Sequence, residues 1–187
     1  MSKMMPPPGK DDRDDPHATP IRFLIVQDYK ENLRKCTAVA LRKLDGFDFI
    51  RLSKPRPREE APELPRGLLL DIDGPVLTPA DRPFLAADGR VIVFDASWAR
   101  VSSLERRVTT CDTNLPRRSL PPSLRTAYPR RSKLFDDPGG GLATVEAIFT
   151  VTALLCIPRP EILEGYRWAT DFLSLNRQTF QGLTATS

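Results

Sequence analysis

The sequence has one histidine, three cysteines and no long apolar run. His17 stands in a polar N-terminal stretch, so a Ser-His-Asp triad and a histidine metal cluster are both excluded. Cys36, Cys111 and Cys156 form no C-x-x-C pair, and they predict buried, reduced thiols rather than a disulfide framework or a zinc site. Any chemistry must therefore depend on carboxylates, backbone groups or a cofactor, and we expect no metal.

The absence of a long apolar run also bears on whether the protein is in a membrane or is secreted. No stretch approaches the length of a membrane span, and residues 1–20 contain acidic residues and proline where a secretion signal needs apolar residues. We expect residues 1–20 to be a disordered leader. We also expect a cytoplasmic monomer that has no membrane partner.

Short apolar runs separated by helical or proline-rich connections dominate the first half of the chain. Four runs predict strands, at residues 21–26, 47–52, 67–72 and 91–94. Residues 33–44 carry apolar side chains at helical spacing, and Thr78-Pro79 predicts the start of another helix. This pattern predicts an α/β fold with a small, mostly parallel sheet that is covered on both faces.

The second half has a different character. Residues 99–141 are basic and interrupted by proline, whereas residues 142–156 and 160–177 predict two helices with apolar faces. We therefore predict an N-terminal α/β domain at residues 21–93 and a largely helical C-terminal domain at residues 94–187.

Basic residues are concentrated between positions 100 and 133. Nine lie there against two acidic residues, a local net charge of +7. This density indicates a surface for a polyanion such as structured RNA, although a solvated basic surface gives the same pattern. The residues that we predict to contact RNA are Arg100, Arg117, Arg118, Arg125, Arg130, Arg131 and Lys133.

Asp95 and Trp98 follow the last predicted strand, at the place where open α/β sheets bind their ligands. In the alternative interpretation, Trp98 packs in the core and Asp95 caps the next helix. Further along, a triglycine at residues 139–141 precedes a predicted helix that contains Thr144. The first amides of that helix are suited to bind an anion such as an amino-acid carboxylate.

Residues 68–74 resemble the first motif of haloacid-dehalogenase-like phosphatases, in which one aspartate attacks phosphate and the next protonates the leaving group. Asp71 and Asp73 would hold these roles. Two predicted strands precede the motif, however, whereas it normally opens that fold. A phosphatase and a non-catalytic RNA-binding assembly factor remain the alternatives to the following assignment.

Taken together, residues 21–180 resemble the aminocarboxypropyltransferase family that modifies small-subunit ribosomal RNA. The middle of the chain also resembles DTW-domain proteins, which modify transfer RNA. Ala96 replaces a cysteine of the family pattern, and Tyr128-Pro129 is what remains of a longer family segment. The resemblance is carried by Cys36-Thr37, residues 77–81, Asp95-Ala96-Ser97-Trp98-Ala99, Leu120-Pro121, Thr144-Val145-Glu146-Ala147, Tyr166-Arg167-Trp168, Phe172-Leu173 and Leu175-Asn176.

This resemblance implies a SPOUT-like, knotted core and transfer of the 3-amino-3-carboxypropyl group of S-adenosylmethionine to N3 of a uridine or pseudouridine. The RNA would be ribosomal, in the small subunit or a pre-ribosome. Trp98 would pack on the sulfonium methyl, and Asp95 would accept the N3 proton. The residues implied to surround the cofactor are Thr37, Leu69, Leu70, Phe94, Trp98, Ala99, Leu120 and Thr144.

Overall fold

A parallel β-sheet forms the centre of the molecule. The computed structural model describes residues 20–56, 60–86, 88–111, 115–129 and 141–184. Its strands are β1 (Arg22–Gln27), β2 (Phe47–Arg51), β3 (Glu63–Leu64), β4 (Gly67–Leu70), β5 (Arg90–Asp95), β6 (Thr109–Thr110) and β7 (Arg117–Arg118). Five of them form one sheet in the order β2-β1-β5-β4-β7, in which every pair is parallel. β3 and β6 form a separate parallel pair.

Helices follow the strands, and several are short. The α-helices are α1 (Trp98–Glu105), α2 (Thr144–Leu154), α3 (Ala169–Leu175) and α4 (Arg177–Thr184). Segments Val39–Lys43, Pro79–Leu85 and Pro160–Leu163 are 3₁₀ helices. None of the helices in the described ranges has the length and apolar character needed to cross a membrane.

Both faces of the sheet are buried, as predicted. Successive side chains of a strand point to opposite faces, so Phe23 and Ile25 of β1 join a core cluster with Ile148 of α2. Leu24 and Val26 join a second, smaller cluster that includes Leu104 of α1. The larger cluster contains residues from both sides of position 93, so the two predicted domains share one core.

Four predicted strands are confirmed, and two helical predictions need correction. The segment at residues 33–44 forms only the 3₁₀ helix Val39–Lys43. The helix predicted at residues 160–177 is interrupted, because Gly165 adopts a left-handed conformation with φ of 74° between the 3₁₀ turn and α3. The predicted helix after Thr78 is present as a 3₁₀ helix, in which the Thr78 amide donates to Asp81 Oδ2 at 2.9 Å.

The prediction that the cysteines are buried is wrong for two of the three. Cys36 is half-buried, while Cys111 and Cys156 are exposed. Cys111 follows the two-residue strand β6, and Cys156 follows the end of α2. Both therefore lie at the ends of elements, where the core does not cover them.

Candidate functional site

Polar side chains meet at the carboxyl ends of β1 and β5. The chain leaves β1 towards β2 on one side, and after β5 it next enters this sheet at β7 on the other side. Such a point of divergence opens a crevice where α/β proteins bind ligands. Gln27 and Asp95 end these two strands and are register partners, so their side chains meet at the crevice.

Asp95 lies at the centre of a hydrogen-bond cluster, which we call the Asp95 cluster. Its carboxylate is only 6% exposed and accepts from three side chains that are remote in sequence. The donors are Gln27 Nε2 at 2.9 Å, Cys36 Sγ at 2.9 Å and Thr144 Oγ1 at 2.7 Å. These contacts join β1, the segment after it and the start of α2 to the end of β5.

Cys36 takes part as a neutral donor. Burial raises the pKa of its thiol to about 12, and the nearby charge of Asp95 and their hydrogen bond act in the same direction. The thiol therefore keeps its proton at neutral pH and is not an activated nucleophile.

The N-terminus of α2 lies against the Asp95 cluster. The helix begins at Thr144, which confirms the predicted position of that residue in the first turn. Thr37 Oγ1 accepts a hydrogen bond from the Val145 amide at 3.4 Å, so the two predicted cofactor threonines lie side by side. Gly139 and Gly140 of the predicted triglycine lie outside the described residues.

The predicted apolar residues divide between the two faces of the sheet. Leu70 and Leu120 are half-buried and pack on the larger core cluster, on the same face as α2. The side chains of Leu69 and Phe94 belong to the smaller cluster on the opposite face. Only the backbone of Leu69 and Phe94 is therefore placed to serve a site on the α2 side.

Trp98 is the first residue of α1, and the start of this helix is fixed by an ion pair. Trp98 is half-buried and the following Ala99 is exposed. Arg100 binds Asp28, which is 2% exposed, through Nε and through Nη2 at 2.9 Å. Burial alone would raise the pKa of Asp28, but the hydrogen bonds from Arg100 and the Lys30 amide outweigh it and lower the pKa. This pair joins the first turn of α1 to the residue that follows β1.

The comparisons with known proteins bear on the fold. No family model matches the sequence, and no curated protein matches it. A solved structure, that of the SAM-dependent rRNA:acp-transferase Tsr3 from Vulcanisaeta distributa, aligns with a TM-score of 0.62 at 22% sequence identity. The alignment covers 89% of this chain and 85% of that chain. The chain has the fold of Tsr3.

On this Tsr3-like fold, three of the predicted RNA-contacting residues, Arg100, Arg117 and Arg118, form ion pairs with carboxylates of the chain. Arg117 forms ion pairs with Asp71 and Glu105, and Arg118 Nε binds Asp81 Oδ1 at 2.7 Å. Their charges are therefore partly neutralised within the chain, as is that of Arg100. Arg117 and Arg118 also line a groove of about 920 Å³ that includes no residue of the Asp95 cluster.

Of the remaining predicted basic residues, the structure describes only Arg125. Arg125 is exposed, and its backbone is held by Asn176, which accepts from the Arg125 amide and donates to its carbonyl, both at 2.8 Å. Arg130, Arg131 and Lys133 lie outside the described residues.

The phosphatase alternative gains no support from the geometry. Asp71 follows β4, as that motif requires, but its Oδ2 is bound by Arg117. Asp73 is exposed, and its amide lies 3.4 Å from Asp71 Oδ1. Within the described parts of the chain, no three His, Cys, Asp or Glu residues are grouped so that they could hold a metal ion.

Sequence reasoning assigned no role to two polar residues of this region. Gln27 is fully buried, and its Oε1 accepts from Arg42 Nη2 at 2.7 Å. Glu146 is also fully buried, although it lies within an apolar helix. The sequence could have indicated both residues. A side-chain amide at the end of an apolar strand and a carboxylate within an apolar helix each need a buried hydrogen-bond partner.

Proposed function

We propose that the chain transfers the 3-amino-3-carboxypropyl group of S-adenosylmethionine to N3 of a uridine or pseudouridine in ribosomal RNA. The shared fold with an enzyme described as a SAM-dependent rRNA:acp-transferase supports this reaction class. The observation that carries the proposal is the Asp95 cluster. Three residues implied by the family resemblance come from remote segments and lie together at the carboxyl end of β5. They are Thr37, Asp95 and Thr144.

The residues at this edge fit S-adenosylmethionine. The positive end of the α2 dipole and the hydroxyl of Thr37, which accepts from the Val145 amide and keeps its own proton to donate, are suited to the amino-acid carboxylate. Leu70 and Leu120 offer half-buried apolar surface on the same face of the sheet. Trp98, at the start of α1, would contribute the aromatic wall against the methyl group.

When bound, the cofactor would supply an electrophilic carbon that its sulfonium already activates, with 5′-methylthioadenosine leaving as the C–S bond breaks, so the protein contributes mainly orientation. Asp95 would accept the proton that N3 of the base loses. Its three donors come from side chains and leave the carboxylate room for one more hydrogen bond. Gln27, itself held by Arg42, would keep the carboxylate in place.

Two measurements test the proposal. Calorimetry should detect S-adenosylmethionine binding, and mass spectrometry of nucleosides from treated ribosomal RNA should detect an aminocarboxypropyl adduct. Thr144→Trp should abolish cofactor binding because bulk at the start of α2 fills the site. The matched control is Thr170→Trp, on an exposed residue in the first turn of α3, which should bind normally.

Contrary results have clear meanings. A methylated nucleoside from the parent protein would overturn the reaction class. Normal binding by a folded Thr144→Trp variant would remove α2 from the site.

A further inference from the structure

Three aromatic side chains gather beside the Asp95 cluster, and we call Tyr128, Tyr166 and Trp168 the aromatic cluster. The Tyr128 and Trp168 rings meet edge to face, with centroids 5.0 Å apart at 83°. Tyr166 also meets Trp168, at 5.7 Å and 64°. All three are half-buried, so part of each ring faces solvent.

The aromatic cluster adds little to the core. Tyr166 packs on the larger core cluster, but Tyr128 and Trp168 belong to neither of the clusters found in the described residues. Two large aromatic rings that remain partly exposed in contact with each other are typical of a binding surface rather than of core packing.

Hydrogen bonds fix the aromatic cluster next to the proposed site. Tyr128 donates from its hydroxyl to the Lys35 carbonyl at 3.1 Å, directly before Cys36 in the chain. Tyr166 donates to Glu146 Oε1 at 2.9 Å, two residues after Thr144. A ligand that contacts the aromatic cluster would therefore reach the edge of the Asp95 cluster.

Basic residues lie near these rings, either close along the chain or at the Lys35 carbonyl that Tyr128 binds, and they differ from most of the arginines that the sequence singled out. The residues are Arg34, Lys35, Arg125 and Arg167, and all are exposed. None of them forms an ion pair with a carboxylate in the described parts of the chain, whereas Arg100, Arg117 and Arg118 all do. The Arg167 guanidinium lies 5.6 Å from the Trp168 ring centroid. Their positive charge is thus available to an external anion.

We propose that the aromatic cluster and these four basic residues bind unpaired nucleotides of the RNA that flank the modified base. This inference rests on the proposed function, since it takes RNA as the substrate. Bases in unpaired RNA stack on aromatic rings, and neighbouring Lys and Arg contact the phosphates. A ring surface next to a basic surface fits a single strand better than a duplex, in which the base faces are not accessible.

The test compares full-length variants in fluorescence anisotropy with a labelled single-stranded RNA and a duplex of equal length. Trp168→Ala should weaken single-strand binding about tenfold or more while duplex binding changes little, because the variant has no ring on which a base can stack. Trp168→Phe keeps a ring and should retain most of the affinity.

A second variant does not depend on the aromatic packing. Arg34→Gln with Lys35→Gln changes two exposed side chains and should make the slope of log affinity against log salt concentration shallower, by about 0.7 for each RNA phosphate that is no longer neutralised. The matched control is Lys54→Gln with Arg56→Gln, which removes two exposed charges after β2. This control should leave the salt dependence close to that of the parent.

The outcomes separate this inference from the proposed function. Parent-like RNA binding by both variants, or no RNA binding by the parent, would overturn the inference. Equal effects of Trp168→Ala on heparin and on RNA would also overturn it, since heparin offers no bases to stack. If single-strand binding depends on Trp168 but no cofactor binding or aminocarboxypropyl adduct is found, the proposed function fails and the RNA surface stands.

Discussion

Asp95 and Glu146 are two buried carboxylates within one hydrogen-bonded region, and they differ in how completely they are enclosed. Glu146 is fully buried and accepts four hydrogen bonds, two from backbone amides. Its donors are Thr126 Oγ1 at 2.6 Å, the Ala127 amide at 3.0 Å, the Ala143 amide at 2.9 Å and the Tyr166 hydroxyl at 2.9 Å. Asp95 retains 6% exposure and accepts only from three side chains.

This difference separates a structural carboxylate from one suited to chemistry. Four donors satisfy Glu146 and attach residues 126–127 and Tyr166 to α2, so no position remains for a substrate. Burial and the negative charge of Glu146 raise the pKa of Tyr166, which keeps its phenol a donor. Asp95 lies at the carboxyl end of β5 and can still accept one proton or hydrogen bond.

Glu146→Ala should have the largest effect on stability. Its removal leaves four donors without their acceptor, two of them backbone amides, and should lower the free energy of unfolding by about 3 kcal/mol or more. Urea denaturation measures this loss. Glu161→Ala is the control, because it removes a partly exposed pair with Arg159 and should cost about 1 kcal/mol or less. Equal losses in the two variants would remove the structural role assigned to Glu146.

Asp95→Asn should reduce activity strongly and stability only moderately, in contrast to Glu146→Ala. The amide keeps the shape and part of the hydrogen bonding, so the free energy of unfolding should fall by about 1–2 kcal/mol. Aminocarboxypropyl transfer should fall by about 10²-fold, while cofactor binding stays near normal, because the proton acceptor is removed. Full transfer by Asp95→Asn would reject Asp95 as the base and leave it a structural residue like Glu146.

How far the sequence predicts these results depends on the kind of signal. Continuous apolar runs predict β1 and β5, because strands that are buried on both faces need apolar side chains throughout. The end of the second run predicts that Asp95 lies at the carboxyl end of β5. The helix α2 was also predicted, with its start placed two residues early, at position 142. The family resemblance named Thr37, but only the structure puts its hydroxyl on the Val145 amide.

The carboxylates that pair with the arginines were not predictable in the same way. Basic residues are concentrated between positions 100 and 133, but Asp28, Asp71 and Asp81 form ion pairs with three of these arginines across long sequence separations. Charge density along a chain says nothing about which carboxylates fold against it. The strand β7 was missed because two arginines carry no apolar signal.

Cys36 gives a prediction that needs no ligand, and it tests how closed the Asp95 cluster is. The thiol has a pKa of 9.0 when unperturbed and about 12 in the folded protein, so the folded chain holds a proton that the unfolded chain releases. The free energy of unfolding should therefore fall as the pH rises from 9 to 12, and be unaffected by this group below that window. Cys36→Ser keeps a donor without this titration and should lose less stability over the same window.

Alkylation gives a second measure of the same thiol. At about pH 8, iodoacetamide should modify the exposed Cys111 and Cys156 well before Cys36, as peptide mass spectrometry would report. Equal rates at all three positions would mean that the Asp95 cluster opens freely to solvent.

The position of Thr144 within the chain has a consequence for synthesis. Its hydroxyl completes the Asp95 cluster, and the neighbouring Val145 amide reaches back 108 positions to Thr37. During translation, β1 and β5 leave the ribosome long before α2 does, and the intervening segment must be made before these contacts can form. A nascent chain that ends before α2 therefore lacks the helix N-terminus that the proposed site needs, and the chain would become able to bind only after α2 has been made.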